Sequence, residues 1–171
     1  MNSRILLSVI LFLTYALNIN AKQPQKSITD SINKGRVLIV SSSLSAALYG
    51  SYRYVENAWW SDKKTNFHFD NGADLTYALN VDKLGHFMGG LQTANIFYSS
   101  MKWAGINNKK SLWYGAFFGS GLQLAIEMKD AYAPYWGFSK WDLFSGSFGS
   151  FWPFLQSKND LFNAINFKFS Y

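Results

Sequence analysis

Asp82 and His86 stand four residues apart, Glu127 and Asp130 three apart, and Asp142 follows one turn and a connection later. Spacings of three and four put side chains on one face of a helix, so each pair can act on a common neighbour. An imidazole beside carboxylates suits proton transfer near neutral pH. It equally suits capture of a hard or borderline divalent ion such as Mg, Mn or Zn. Neither Asp-x-x-x-His nor Glu-x-x-Asp is by itself a specific metal motif. The chain has no nucleophile elbow, phosphate loop or Ser/His/Asp set. It also has no Cys, which excludes disulfides, Cys-ligated zinc and thiol catalysis. No residue is therefore assigned to catalysis, and no cofactor is assigned.

These residues sit at the ends of uncharged, Gly/Ser-rich runs. Asp82 opens the run that continues from Leu84 to Met101, Glu127 and Asp130 close the run from Ser111, and Asp142 opens the run from Leu143 to Ser157. Short connections make helices alternate up and down, so a start, an end and a start fall at one level. Asp82, His86, Gly89 and Thr93 share one face, as do Gly115, Gly119, Gln123 and Glu127, and Asp142, Gly146 and Gly149. Small residues let helix backbones approach closely, which draws the polar groups together. The expected cluster is Asp82, His86, Glu127, Asp130 and Asp142, as ligand-binding or proton-carrying groups. Gln123 lies deeper, and His68 and Asp70 are placed to cover it.

A plainer role competes with this one. Asp82 and Asp142 stand at helix starts, where carboxylates cap free N–H groups and suit the dipole. Ser139 and Asp142 have the spacing of a capping box, with Asp in place of Glu. Glu127 and Asp130 lie at a helix end, where negative charge is unfavourable. They need compensation, from His86, Lys83, Lys129, Lys140 or a metal ion.

The elements that must position these groups follow from the punctuation of the chain. Residues 1–21 read as a secretory signal, with Arg4, the apolar stretch Ile5 to Leu17 and a small-residue cleavage site ending at Ala21. Residues 22–35 are a polar linker, 36–157 the helical domain, and 158–171 an alternating, strand-like tail that could pair with an envelope protein partner. Gly105 and the Asn107-Asn108 turn separate the second and third runs, and Pro134 to Gly137 the third and fourth. The fold expected is all-α, an antiparallel four-helix bundle.

Composition points that bundle toward lipid. Hydrophobic residues make up 49% of the 171 residues, aromatics 19% and charged residues only 15%, against about 25% charged in soluble domains. The four runs fall a little short of the roughly 20 residues of a spanning helix, but flanking Trp, Tyr and Lys can extend them. The bundle is therefore expected to be membrane-embedded, the alternative being a membrane-associated periplasmic bundle lying on the bilayer. The net charge of +6 forms no basic stripe of the kind nucleic acid requires. An anionic membrane lipid is the natural partner. Basic residues do not obey the positive-inside rule, which argues against a simple inner-membrane protein. The location expected is the cell envelope, facing the periplasm.

From Val81-Asp82-Lys83-Leu84-Gly85-His86, through Glu127, Asp130 and the Trp136-Gly137-Phe138-Ser139 turn, to Asp142, the chain resembles the family domain of unknown function 2279, predicted periplasmic lipoproteins. The resemblance covers about residues 55–157. The order of acids and histidine is also similar, more weakly, to VanZ-like membrane proteins, associated with glycopeptide tolerance and envelope lipids. Both likenesses imply location and architecture more than activity. Without Cys, the lipoprotein label does not fit this chain. The sequence thus supports an envelope protein whose polar cluster binds an anionic lipid headgroup or lipid-linked precursor. The alternatives are a scaffold in which the cluster only locks helices, and metal-assisted headgroup hydrolysis or transfer.

Overall fold

The computed structural model describes residues 32–61, 63–70, 72, 75–76 and 80–168. The signal segment and most of the polar linker lie outside the described residues. Among the described residues four long helices appear: α1 Lys34–Trp59, α2 Val81–Trp103, α3 Asn108–Asp130 and α4 Lys140–Gln156, followed by a single turn, α5 Asp160–Asn163. No strand forms among the described residues, only an isolated bridge between Phe69 and Phe138. The alternation in the tail does not yield a strand as far as Lys168.

Local signals set the boundaries. The Asn33, Asn107 and Ser139 side chains accept from the backbone N–H of Arg36, Lys110 and Asp142 at 3.0, 2.9 and 3.1 Å, the N-cap geometry that satisfies free helix donors. Helix α2 ends on Gly105, whose φ of 90° only Gly adopts without strain. There Gly105 N–H donates to Lys102 O and Ile106 N–H to Met101 O, both at 3.0 Å, the paired bonds of a Schellman motif.

Helices α2, α3 and α4 pack mutually and share the core. Their crossings are made of glycine. A Cβ built on Gly90 would overlap the Gly146 carbonyl oxygen, one on Gly149 the Phe87 carbonyl oxygen, and one on Gly115 would lie 2.6 Å from Ala94 O. Beyond these notches Phe87, Met88, Leu91 and Trp152 form the buried apolar cluster, with Leu155 and Phe162 against it. Helix α1 aligns with the bundle but buries only Val40. It is held at its ends. Asn33 N–H donates to Ala104 O, and the Arg36 guanidinium donates to Trp103 O and lies 5.0 Å from the Trp103 ring centroid. At the other end Lys129 Nζ reaches Glu56 and Tyr52, and Trp60 Nε1–H donates to Asp130 at 2.6 Å.

Two corrections to the sequence reading follow. The core is a three-helix unit with a long fourth helix laid beside it, not four equal partners. Membrane embedding is not supported either: no helix among the described residues is long and apolar enough to cross a membrane. The low charge of these runs comes with Gly, Ser, Trp and Tyr rather than with aliphatic residues, and Trp and Tyr favour interfaces over hydrocarbon.

Candidate functional site

Because α2 and α4 start where α3 ends, their polar termini meet around a chamber of about 590 Å³. Asp82, His86, Gln123, Glu127, Asp130 and Asp142 all line it. Asp70 from the long connection also lines it. His68 does not: its two ring nitrogens lie 3.1 and 3.0 Å from the Asn66 and Trp136 carbonyl oxygens, clipping the connection to the α3–α4 turn.

His86 is the hub. Gln123 Oε1 lies 3.0 Å from His86 Nδ1, and as an acceptor it selects the tautomer protonated at Nδ1. Nε2 faces Asp82 Oδ1 at 3.8 Å and Asp142 Oδ2 at 3.9 Å. The remaining oxygens of both carboxylates turn to Lys83, whose Nζ lies 2.8 Å from Asp142 Oδ1 and 3.7 Å from Asp82 Oδ2. Each carboxylate therefore divides its oxygens between an ammonium and an imidazole. One donor atom from each of Asp82, His86 and Asp142 falls within 4.8 Å of the other two. The two separations to Nε2 are shorter than two metal–ligand bonds of about 2.1 Å laid end to end. A single ion can touch all three residues.

The two acids at the α3 terminus find their compensation in donors rather than in a lysine. Glu127, 1% exposed, accepts Ser139 N–H at 2.9 Å and faces His86 Nδ1 at 3.8 Å. It thus takes at the N-terminus of α4 the place that a capping-box carboxylate takes. Asp130 accepts the indole N–H of Trp60. Lys129 is engaged by Glu56 and Tyr52 instead. Burial pushes the Glu127 carboxyl up to about 7, against the lowering effect of the Ser139 N–H and His86, with Asp142 and Asp130 adding to the rise. Burial likewise raises Asp130, opposed by Trp60 and His86 and reinforced by Asp82. Loss of hydration is thus the main cause of both shifts, with neighbouring carboxylates adding to it.

Of the contributors, Lys83, expected to compensate the acids closing α3, instead pairs with Asp82 and Asp142. Trp60 has no clear signal in the sequence as a site residue, because its partner Asp130 lies 70 residues away. Tyr135, Trp136 and Trp59, which wall the mouth, read there only as turn or helix-end aromatics.

The Glu127 shift fixes a pH dependence. A carboxyl raised in the fold binds its proton more tightly there than in the unfolded chain, so ionising it costs stability as pH rises from about 4.5 toward 7. In chelator, wild-type stability is expected to fall across that window by about 3 kcal/mol. Glu127→Gln keeps an acceptor for Ser139 N–H and is expected to remove most of that slope. Urea unfolding at pH 5 and pH 8 checks it; parallel slopes for the two proteins would contradict the burial argument.

Residues 69–157 match the model of the family described as predicted periplasmic lipoprotein (DUF2279). The chain belongs to this family. The match takes in every one of the chamber's charged groups, so the site sits within what defines the family. The family's description places it in the periplasm and assigns no activity. Lipid attachment needs a Cys that this chain lacks. The weaker likeness to VanZ-like membrane proteins finds no support, since no described helix can span a bilayer. Searches of curated proteins and of solved structures give no match.

Proposed function

We propose that the chamber is a divalent-cation site through which this periplasmic protein holds a phosphate-bearing headgroup of an envelope lipid or lipid-linked precursor. The observation that carries the reading is the convergence of His86 Nε2 with one oxygen from each of Asp82 and Asp142. An anion alone would meet Asp70, Asp82, Asp130 and Asp142 against Lys83, a net negative wall. A bound ion reverses that balance. Gln123 supplies the partner that orients a ligating imidazole, as metal-bound histidines require. The ion's open positions would face the chamber and accept phosphate oxygens, while His86 and Glu127 keep the floor polar.

Calorimetric titration of the purified chain with Mn²⁺ or Zn²⁺ tests this. One ion per chain is expected, and glycerol phosphate is expected to bind only once the ion is present. Heat from glycerol phosphate in chelator, or no metal uptake at all, would contradict it. The scaffold reading is favoured by the internal pairing of the same groups, above all Lys83 with Asp142. It predicts that Asp82→Asn changes the unfolding temperature and nothing else.

A further inference from the structure

The chamber's mouth opens within an exposed aromatic rim. Trp59, Tyr135 and Trp136 line the chamber and are 59%, 79% and 45% exposed. Trp141, 58% exposed, and Leu84, 50% exposed, extend the rim along the first turns of α4 and α2. Cations also stand on the outside of this end, in a region whose long connection carries Asp62 and Asp74 in sequence as well. Among the described residues, the exposed charged side chains here are Arg53, Lys63, Lys64 and Lys140, all cations. Lys140 Nζ lies 5.0 Å from the Phe69 ring centroid, and Lys64 lies beside Trp60 and Tyr132. The carboxylates are recessed behind this rim: Glu127 and Asp142 are buried, and Asp82 and Asp130 are only half-exposed.

We infer that this end of the bundle docks on the surface of an anionic phospholipid bilayer, with the chamber's mouth turned toward the lipid phosphates. Indole and phenol rings place an apolar body and a polar tip at the headgroup boundary. Lysines among them are drawn by the negative surface potential of anionic lipid. Leu84 adds an aliphatic contact that suits acyl chains and offers nothing to a sugar ring. The outer cations match the bilayer surface, and the inner acids match the ion that would meet a phosphate. Docking of this kind needs no spanning helix. The inference rests on the chamber reading for what the mouth receives, but docking itself is measured in chelator, without a metal.

The test uses the full chain and vesicles of phosphatidylethanolamine and phosphatidylglycerol with brominated acyl chains, which quench indoles at the interface. Tryptophan quenching is expected, and most of it is expected to disappear in the variant Trp59→Phe, Trp136→Phe, Trp141→Phe, which retains the half-buried Trp60 beside the rim and Trp103, Trp113 and Trp152 away from it. Quenching that persists undiminished there would show that the three rim indoles do not meet the lipid, and would overturn end-on docking. A second variant, Lys63→Glu, Lys64→Glu, Lys140→Glu, changes only exposed side chains. On phosphatidylglycerol vesicles its binding is expected to weaken at least about tenfold, with Mn²⁺ uptake in lipid-free buffer unchanged. Unchanged vesicle affinity in this variant would contradict the inference. Loss of metal uptake in the wild-type chain would instead strike the chamber reading and leave the docking result standing.

Discussion

Gly90→Ala is expected to lower the stability of the chain by at least about 3 kcal/mol, above the usual cost of an extra methylene in a packed interior. The added Cβ would overlap the Gly146 carbonyl oxygen and lie 2.7 Å from Ser150 Oγ. The overlap is with backbone, so no side-chain rotation relieves it. Helices α2 and α4 would have to separate, and the reciprocal notch at Gly149, which receives the Phe87 carbonyl, would open with them. For a domain with a total stability of about 5–15 kcal/mol, that is a large share. Gly121→Ala is the control. Nothing lies within 4 Å of its Cβ, and it stands in mid-helix, where Ala is favoured over Gly by about 1 kcal/mol. Urea unfolding should move the two variants in opposite directions. Equal midpoints would show that the close crossing does not govern stability. The crossing also holds the site, since Asp82 and His86 ride on α2 and Asp142 on α4.

His86→Ala is expected to weaken divalent-ion binding at least about 100-fold, or about 2.7 kcal/mol. It removes the only nitrogen donor in the triad. The carboxylates left behind remain drawn to Lys83 through their other oxygens. Gln123, only 3% exposed, also loses the ring it orients, so calorimetry should be accompanied by circular dichroism to confirm that the helices persist. His68→Ala is expected to leave affinity unchanged, because its ring does not line the chamber and its nitrogens address backbone carbonyl oxygens. Equal losses from both substitutions would indicate general destabilisation in place of ligand removal.

Much of this arrangement is legible in the chain itself. Gly105, the Asn107 turn and Ser139 mark three helix ends by local chemistry alone, and alternation then brings a start, an end and a start to one level. The spacing of Gly115, Gly119 and Gln123, like that of Asp142, Gly146 and Gly149, identifies the faces on which α3 and α4 approach their neighbours. The first run misleads because lack of charge makes it look like the others. It carries no comparable notch: nothing lies within 4 Å of a Cβ on Gly50. Without a groove to enter, α1 rests on its ends.

Lipid embedding misleads for another reason. A count of 49% hydrophobic residues includes Trp and Tyr, whereas the mean hydropathy of the chain is −0.07. Those rings favour a boundary between water and apolar matter. Trp60 escapes sequence reading because its role depends on Asp130, 70 residues away. Asp142 reads as a cap, and its backbone N–H does donate to Ser139 Oγ, yet its carboxylate faces Lys83 and His86.

The chain has only two histidines, so nitrogen NMR of the imidazoles during a Zn²⁺ titration addresses the ion-binding claim directly. The prediction is one imidazole whose Nε2 resonance shifts to the metal-bound position at one equivalent while its Nδ1 keeps its proton, and which is absent from His86→Ala. Two imidazoles that both ignore the ion, or a response confined to His68, would contradict it.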